Sequence, residues 1–376
     1  MEDCDDIKRF RDRLWKRGIG CFIVQDLLGI SDYISIFLSY ISLVINLLKI
    51  KGKIPLLTLN GLECRAFTRR YFRSIFLEHH PFAELMVYFA TRKLLKVISV
   101  HSIIYPFEGK GIERALIKAR NKYNKNIKCV AYAHAIYNPG LLYVRYYHNG
   151  LARHFEPDMV ACTGERMRNW LIDWGRIDEN KVTVVGSSRS LSPLPIRKNC
   201  ALRSSCLNVL VLAGLGHELS ELAEMLDEDS SIFENCKVIV RKYPYSWLDE
   251  QKTALDKIRL VCGNVVEGDG PLVEQIQECD IAIMCATSAG IETMLRHRPV
   301  VYVDLHGIID LNPFADKGDV SKIKCCYSAK DLKQAVNSIR LMPHEKYERM
   351  VSDQAELAHS FFGLPDRARL ATILSH

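Results

Sequence analysis

At 376 residues, the chain is long enough for two domains of ordinary size, each with its own hydrophobic core. A composition of 48% hydrophobic and 25% charged residues excludes an intrinsically disordered chain. The charge is unevenly divided: residues 1–200 hold 32 Lys and Arg against 18 Asp and Glu, whereas residues 201–376 hold 19 against 26. The basic first half predicts an anionic partner, and nucleic acid, a membrane surface and a glycan or lipid phosphate all fit it.

The thirteen cysteines predict free thiols in a reducing compartment, because their number is odd and no Cys-x-x-Cys pair occurs. Several of them fall in apolar runs, where a thiol behaves as a small hydrophobic group. The first residues, Met1 to Asp6, are acidic and do not have the layout of a signal peptide. We therefore expect a cytoplasmic protein.

The first half of the chain alternates strand-like and helix-like segments. Residues 27–48 are its most apolar stretch, but the uncharged run within it is too short to span a bilayer. We expect a core helix there; the alternative is a helix lying on a membrane surface, helped by Lys49, Lys51 and Lys53. The predicted strands are residues 20–24, 54–59, 94–105, 129–134, 159–162 and 182–185, and the predicted helices are residues 112–123 and 164–174.

Residues 186–206 break this alternation with serine, proline and basic residues, and a second series follows. Its predicted strands are residues 207–214, 238–240, 258–261, 281–284 and 300–303. Strands separated by helices predict an α/β protein with two Rossmann-like domains. The predicted boundaries are an N-terminal domain at 1–190, a linker at 191–206, a C-terminal domain at 207–350, and helices at 351–376 that pack back on the first domain.

A nucleotide-binding site is predicted where strands of the second domain end. Residues 281–304 show a strand, a small-residue turn, a short helix and a second strand, and Thr287, Ser288, Ala289 and Gly290 form the turn. Backbone N–H groups and the helix dipole at such a turn favour a phosphate, and Glu292 in the first helical turn is expected at the ribose. An ordinary helix N-terminus is the alternative.

Further candidates for this site follow the other strands of the second domain. Gly214 and Gly216 precede a predicted helix at 219–226 and would let a phosphate approach the backbone, unless they only form a tight turn. Arg241 or Lys242 would hold a phosphate, and Pro244 would stiffen the loop around a base. Glu267 would contact the base or ribose, although a plain turn before a helix also explains it.

Two polar residues end neighbouring strands of the first domain. Glu108 lies in a loop with Pro106, Gly109 and Gly111, where a buried carboxylate could act as a general base. His134 ends the next strand and would orient the acceptor or the leaving phosphate. A structural role is the alternative for both.

Several classes of protein are disfavoured because their motifs do not occur in the sequence. The missing patterns are the P-loop, His-Glu-x-x-His, Gly-x-Ser-x-Gly and clustered metal-ligand spacings. No helix-turn-helix or aromatic ribonucleoprotein motif explains the basic half. We therefore expect no metal ion, no cofactor and no nucleic-acid partner.

The architecture resembles the GT-B glycosyltransferases, and short motifs extend the resemblance. Residues 105–115, with residues 131–134, look like the first-domain signature of bacterial O-antigen and capsule biosynthesis proteins, in which Trp often stands at the position of Ile112 and Gln at that of Ala133. Residues 241–244 and Thr287-Ser288 are similar to the His-Pro and Ser-Ser/Thr motifs of transferases that use CMP-activated acidic sugars.

The resemblance implies transfer of a sugar, such as Kdo or a nonulosonate from a CMP donor, to a surface polysaccharide or lipid-linked acceptor. Lys242 and the helix start at Thr287-Ser288 would stabilise the leaving phosphate. Glu108 would take the acceptor proton, or support the sugar cation if the reaction retains configuration. The basic half would face an anionic glycan at the inner face of the plasma membrane. UDP or GDP donors stay open because Tyr243 stands in place of the motif histidine. Polyol-phosphate transfer, sugar-nucleotide epimerisation and a non-catalytic role are the alternatives.

Overall fold

The structure is a computed structural model, and it divides the chain into two compact units. The described residues are 14–17, 24–50, 58–59, 62–63, 80–136, 155–189, 192–196, 206–214, 217–241, 249–305, 311–315, 318–319 and 321–375. One unit comprises Met1–Ala131, Gly150–Asp158 and Ile373–His376, and the other comprises Tyr132–Asn149 and Met159–Thr372. The strands predicted at 20–24 and 54–59 fall almost entirely outside the described residues.

Three long helices dominate the described part of the first unit. They are α1 (Ile30–Ile50), α2 (His80–Val97) and α3 (Gly111–Tyr123). Between α1 and α2 in the chain, two strands of two residues each, β1 (Thr58–Leu59) and β2 (Leu62–Glu63), form an antiparallel pair. On α1, Ile36 is fully buried in a small cluster with Leu28 and Ala90. The predicted core helix is therefore packed on one side. None of the helices in the described ranges has both the length and the apolar content needed to cross a bilayer.

A four-stranded sheet has the order β3-β4-β5-β6. Its strands are β3 (Ser102–Pro106), β4 (Lys128–Ala133), β5 (Met159–Cys162) and β6 (Val182–Val184), and β5 pairs with β6 in parallel. Helix α4 (Glu165–Asp173) connects β5 to β6. These elements confirm the predicted alternation, except that the segment predicted as a strand at 94–105 begins inside α2. Leu94 and Leu95 continue that helix with half-buried side chains, so the strand starts only at Ser102.

The second sheet has six parallel strands in the order β12-β11-β10-β7-β8-β9. Its strands are β7 (Leu207–Leu212), β8 (Cys236–Arg241), β9 (Val265–Gly268), β10 (Ile281–Met284), β11 (Val300–Val303) and β12 (Lys324–Cys326). Its helices are α5 (Glu218–Glu228), α6 (Asp249–Cys262), α7 (Leu272–Glu278), α8 (Ala289–Leu295) and α9 (Ala329–Arg340). This is the doubly wound Rossmann order. The strands following β7 are added on one side of it up to β9, and β10 to β12 are then added on the other side, so the strand order reverses between β7 and β10.

The strand predicted at residues 258–261 is wrong, because those residues belong to the end of α6. Leu255 and Ile258 are buried on the core side of the helix, whereas Leu260 is 87% exposed. That alternation has the period of a helix and not of a strand. Gly263 follows at a φ of +70°, which favours glycine, and the strand then begins at Val265.

The C-terminal helices pack against the ends of strands of the first sheet. Helices α10 (His344–Phe361) and α11 (Arg367–Ser375) are separated by a break at residues 362–366, and Asp366 accepts a hydrogen bond from the N–H of Arg369 (2.8 Å) at the start of α11. At the break, the N–H of Gly363 donates to the carbonyl of Thr163 (2.8 Å), and the N–H of Ser187 donates to the carbonyl of Gly363 (3.0 Å). Thr163 directly follows β5, so these hydrogen bonds hold the segment between the two helices against the end of that strand.

Candidate functional site

The candidate site lies where the strand order of the six-stranded sheet reverses. Ligands of open α/β sheets bind at the carboxyl ends of the strands, at this point. Strand β7 leads into Gly214 and strand β10 into Ala286. Glu218 of α5 is fully buried, and its carboxylate accepts hydrogen bonds from the N–H of Gly214 (2.5 Å) and from the N–H of Ala286 (2.8 Å). The Glu218 carboxylate therefore binds two backbone N–H groups at the point where the strand order reverses.

The two glycines at this point are explained by close packing. A Cβ atom on Gly214 would lie 2.4 Å from the carbonyl oxygen of Ala286, so glycine lets the two turns touch. A Cβ atom on Gly290 would lie 2.1 Å from the sulfur of Met284, so glycine lets α8 pack directly on β10. Both positions have a structural reason to be glycine, beside any role in binding.

The turn between β10 and α8 has the predicted strand–turn–helix form. Thr287 ends the turn with its Oγ1 accepting a hydrogen bond from the N–H of Ala289 (3.3 Å), and α8 begins at Ala289. Glu292 lies in the first helical turn, and its N–H donates to the carbonyl of Ser288 (3.3 Å). The sequence thus places Thr287, Ser288 and Glu292 correctly at the start of this helix.

Arg189 joins this turn from a distant part of the chain. Its Nη1 donates a hydrogen bond to Oγ of Ser288 (2.6 Å) and lies 3.7 Å from Oε1 of Glu292. The Arg189 side chain is 40% exposed and the Glu292 side chain 15% exposed. A partly exposed guanidinium beside a hydroxyl and a carboxylate is a group suited to bind an anion.

The electrostatics of the site centre on Glu292. Burial raises the pKa of its carboxyl, and the neighbouring cations Arg189, Arg241 and Arg296 oppose that rise only in part. Burial also lowers the pKa of Arg241, which Glu292 partly offsets. Arg241 ends β8, where its Nη1 donates to Oε1 of Gln275 (2.8 Å) and to the carbonyl of Gly270 (3.1 Å). The predicted residues Arg241 and Glu292 are therefore electrostatically coupled.

The other predicted residues of the second domain fall into two groups. Glu267, on β9, forms an ion pair with Arg259 in the last turn of α6, with 3.8 Å between Oε2 and Nη2. Gly216, Lys242 and Pro244 lie outside the described residues.

In the first unit, the loop after β3 is organised by Glu113. Its buried carboxylate accepts hydrogen bonds from the N–H groups of Glu108 (2.7 Å), Gly109 (3.2 Å) and Lys110 (3.2 Å). Burial raises the pKa of Glu113, although these N–H groups oppose the rise. The side chain of Glu108, the predicted general base, forms an ion pair with Lys110.

His134 follows β4, as predicted, and lies beside Tyr132, with the two ring centroids 6.3 Å apart. The hydroxyl of Tyr132 donates a hydrogen bond to the carbonyl of Gly186 (3.1 Å). Burial raises the pKa of Tyr132, and the nearby charge of Arg189 acts in the opposite direction. The end of β4 is thereby connected to the segment that carries Arg189.

Comparison with known proteins finds no matching family model and no matching curated protein. Among solved structures, the chain is similar to the Anabaena protein HepE in complex with UDP, with a TM-score of 0.52, 14% identity and coverage of 77% of this chain and 82% of that one. The UDP-GlcNAc 2-epimerase of Neisseria meningitidis bound to UDP-GlcNAc gives a TM-score of 0.50 at 11% identity, covering 78% and 81%.

A glycosyltransferase from Rickettsia africae gives a TM-score of 0.50 at 13% identity, with coverage of 78% of this chain and 82% of that one. Likeness at such identity shows the fold. The chain has the GT-B architecture of two Rossmann-like domains, as its two parallel-stranded sheets and C-terminal helices indicate.

Proposed function

We propose that this chain is a glycosyltransferase that binds a nucleotide sugar where the six-stranded sheet reverses order. The observation that carries the proposal is the contact of Arg189 with Ser288 and Glu292. It puts a cation, a hydroxyl and a carboxylate at the carboxyl ends of the strands, where open α/β sheets bind nucleotides. Two similar structures, which are bound to UDP and to UDP-GlcNAc, support a nucleotide ligand.

In this proposal, the donor's diphosphate or monophosphate displaces the hydrogen bond between Arg189 and Ser288 and takes both groups as partners. A guanidinium group can donate two hydrogen bonds to a phosphate at once. Arg189 and Arg241 each carry such a group close to Glu292. Glu292 binds the ribose hydroxyls. As the bond from the sugar to the phosphate breaks, the two arginines stabilise the charge that develops on the leaving phosphate. The reaction proposed here uses no metal.

The acceptor side of the proposal keeps the sequence predictions. An acceptor hydroxyl attacks the anomeric carbon and passes its proton to Glu108, while His134 orients the acceptor or the leaving phosphate. We propose a surface polysaccharide or a lipid-linked glycan as acceptor, and a CMP-activated acidic sugar as donor. A UDP-activated sugar is the second candidate donor, because the similar structures are bound to uridine nucleotides.

A thermal-shift measurement with CMP, CDP, UDP and GDP tests the donor class. A ligand that binds only the folded protein raises its melting temperature, by an amount that grows with its concentration relative to Kd. We expect one nucleotide to shift the melting temperature well beyond the others. Equal absence of shift for all four would contradict the proposal.

A sugar-nucleotide epimerase is the second candidate, because a UDP-GlcNAc 2-epimerase matches the fold as well as a glycosyltransferase does. The two reactions differ in their need for an acceptor. The selected nucleotide sugar should be incubated with the protein alone and followed by nuclear magnetic resonance. An epimerase converts it to a second sugar nucleotide, whereas a transferase leaves it intact or slowly hydrolyses it until acceptor is added.

A further inference from the structure

Helix α1 exposes a continuous row of large apolar side chains, which we call the α1 apolar face. Ile34, Phe37 and Leu38 in its centre are 56%, 57% and 61% exposed. The face is completed by Ile30, Ile41 and Ile45. These positions recur three and four residues apart, so they share one side of the helix over several turns. A patch of this size on a folded protein indicates an interaction surface.

The opposite side of α1 is fixed to the protein. Ile36 is fully buried in a cluster with Leu28, which precedes α1, and with Ala90, which belongs to α2. Near the start of the helix, Asp32 accepts hydrogen bonds from Nζ of Lys93 on α2 (3.1 Å) and from the N–H of Gly29 (2.9 Å). Because these contacts set the rotation of α1, the apolar face is held outward.

The charge at the end of this helix and in the sequence that follows it indicates the kind of surface that covers the α1 apolar face. Lys49 is exposed in the last turn of α1. Residues 49–73 contain seven Lys and Arg against a single acidic residue, Glu63. A partner must therefore offer an apolar phase next to a negatively charged one. An anionic bilayer does so, because its acyl chains lie beneath charged headgroups.

We propose that α1 lies in the plane of an anionic membrane surface and docks this protein there by its apolar face. A helix of 21 residues is about 31 Å long, so it can place its whole exposed row at the boundary of headgroups and acyl chains. Lys49, exposed in the last turn of the helix, would contact the headgroups. This inference does not rest on the proposed transferase activity, because membrane binding requires no nucleotide.

The test is sedimentation of the full chain with vesicles. Vesicles of equal parts phosphatidylglycerol and phosphatidylcholine should bind the protein, and vesicles of phosphatidylcholine alone should bind at least about tenfold less. The double variant Ile34→Asp and Leu38→Asp should lose at least about tenfold in binding, because each aspartate removes an inserted side chain. The matched control is Leu260→Asp, which changes a side chain that is 87% exposed on α6 and should bind as the unmodified protein does.

Two further measurements make the result decisive. The variants Lys49→Glu and Lys51→Glu should weaken binding to anionic vesicles, and raising the salt concentration should have the same effect. The melting temperature of every variant should match that of the unmodified protein, since the changed apolar residues are exposed. Binding that is equal on both vesicle types, or unaffected by Ile34→Asp and Leu38→Asp, would overturn the inference. So would a dimer in solution that these two substitutions dissociate, because the face would then be covered by a second copy.

Discussion

Glu292 shows how burial and charge compete at the candidate site. Its carboxylate has lost most of its contact with water, which disfavours the ionised form, and three arginines nearby favour that form. Burial is the larger effect, so the pKa is raised. The folded protein therefore retains a carboxylate at some cost in stability, which is common where a residue is kept for binding.

The substitution Glu292→Gln should stabilise the protein at neutral and alkaline pH. A group whose pKa is raised in the folded state contributes most stability below its ordinary value of 4.5, and that contribution is lost as pH rises through the folded pKa. Glutamine is neutral throughout, so the melting temperature of the variant should exceed that of the unmodified protein at pH 8. The two values should converge towards pH 4.5.

Thermal denaturation at several pH values measures this difference directly. Glu345→Gln is a matched control, since Glu345 is exposed in the first turn of α10 and should show no comparable trend. A variant that is less stable than the unmodified protein at pH 8 would show that the ion pair with Arg189 outweighs burial.

The sequence predicts the local half of the site and not the distant half. Thr287, Ser288 and Glu292 are found together because a strand, a small-residue turn and a helix form from neighbouring residues. Arg189 is 99 residues away from Ser288 and lies in a segment whose composition indicates a linker. The role of Glu218 could not be predicted, because an acidic residue at the start of a helix is common. Only the pairing of β7 with β10 brings the N–H groups of Gly214 and Ala286 to its carboxylate.

At the scale of elements, Gly164 controls how the C-terminal helices dock. A Cβ atom there would lie 2.3 Å from the carbonyl oxygen of Ser360 and 2.5 Å from that of Phe361. Both are backbone atoms of the α10 C-terminus, so they cannot rotate away. The close approach lets α10 end against the start of α4.

Gly164→Ala should therefore lower the stability of the protein by roughly 1–3 kcal/mol, the usual cost of overpacking. Urea denaturation measures the change as a shift in midpoint at constant slope. The matched control is Gly318→Ala, because a Cβ atom on Gly318 would meet nothing within 4 Å. Equal stability of the Gly164 variant and the control would show that the joint between α10 and α11 accommodates the added methyl group.

The elements of the second sheet show where sequence patterns succeed. Strands β10 and β11 are continuous apolar runs that are buried throughout, and β7 is interrupted only by Asn208; such runs are visible in the sequence. Residues 258–261 resemble a strand because three of the four are apolar and two are β-branched. The buried residues of this segment, Leu255 and Ile258, instead have helical spacing. Strand β9 is harder to predict, since its four residues include Glu267 and an exposed Val266.

At the scale of the whole molecule, the described cysteines have no disulfide partners and are mostly buried. Burial raises the pKa of Cys162 and Cys326 to about 12 and that of Cys236 and Cys262 to about 11. A thiol with a raised pKa is seldom ionised at neutral pH and reacts slowly. Cys206, in contrast, is exposed.

Thiol labelling at pH 7 should therefore proceed in two phases. Cys206 should react at once in the native protein, and the buried thiols should react only after denaturation, when all thirteen cysteines become accessible. Cys206→Ser should remove one equivalent from the fast phase, as counted by mass spectrometry. Fewer than thirteen labels in denaturant without a reductant would reveal a disulfide and contradict the prediction of free thiols.

We propose that the chain binds a nucleotide through Arg189 where the strand order reverses between β7 and β10. The test is isothermal titration of the nucleotide that gives the largest thermal shift, with Arg189→Ala compared with the unmodified protein. Loss of charge-assisted hydrogen bonds should raise Kd by about tenfold to a hundredfold. The control Arg349→Ala removes an exposed cation from α10 and should leave Kd unchanged. An equal Kd for Arg189→Ala and the unmodified protein would contradict the claim.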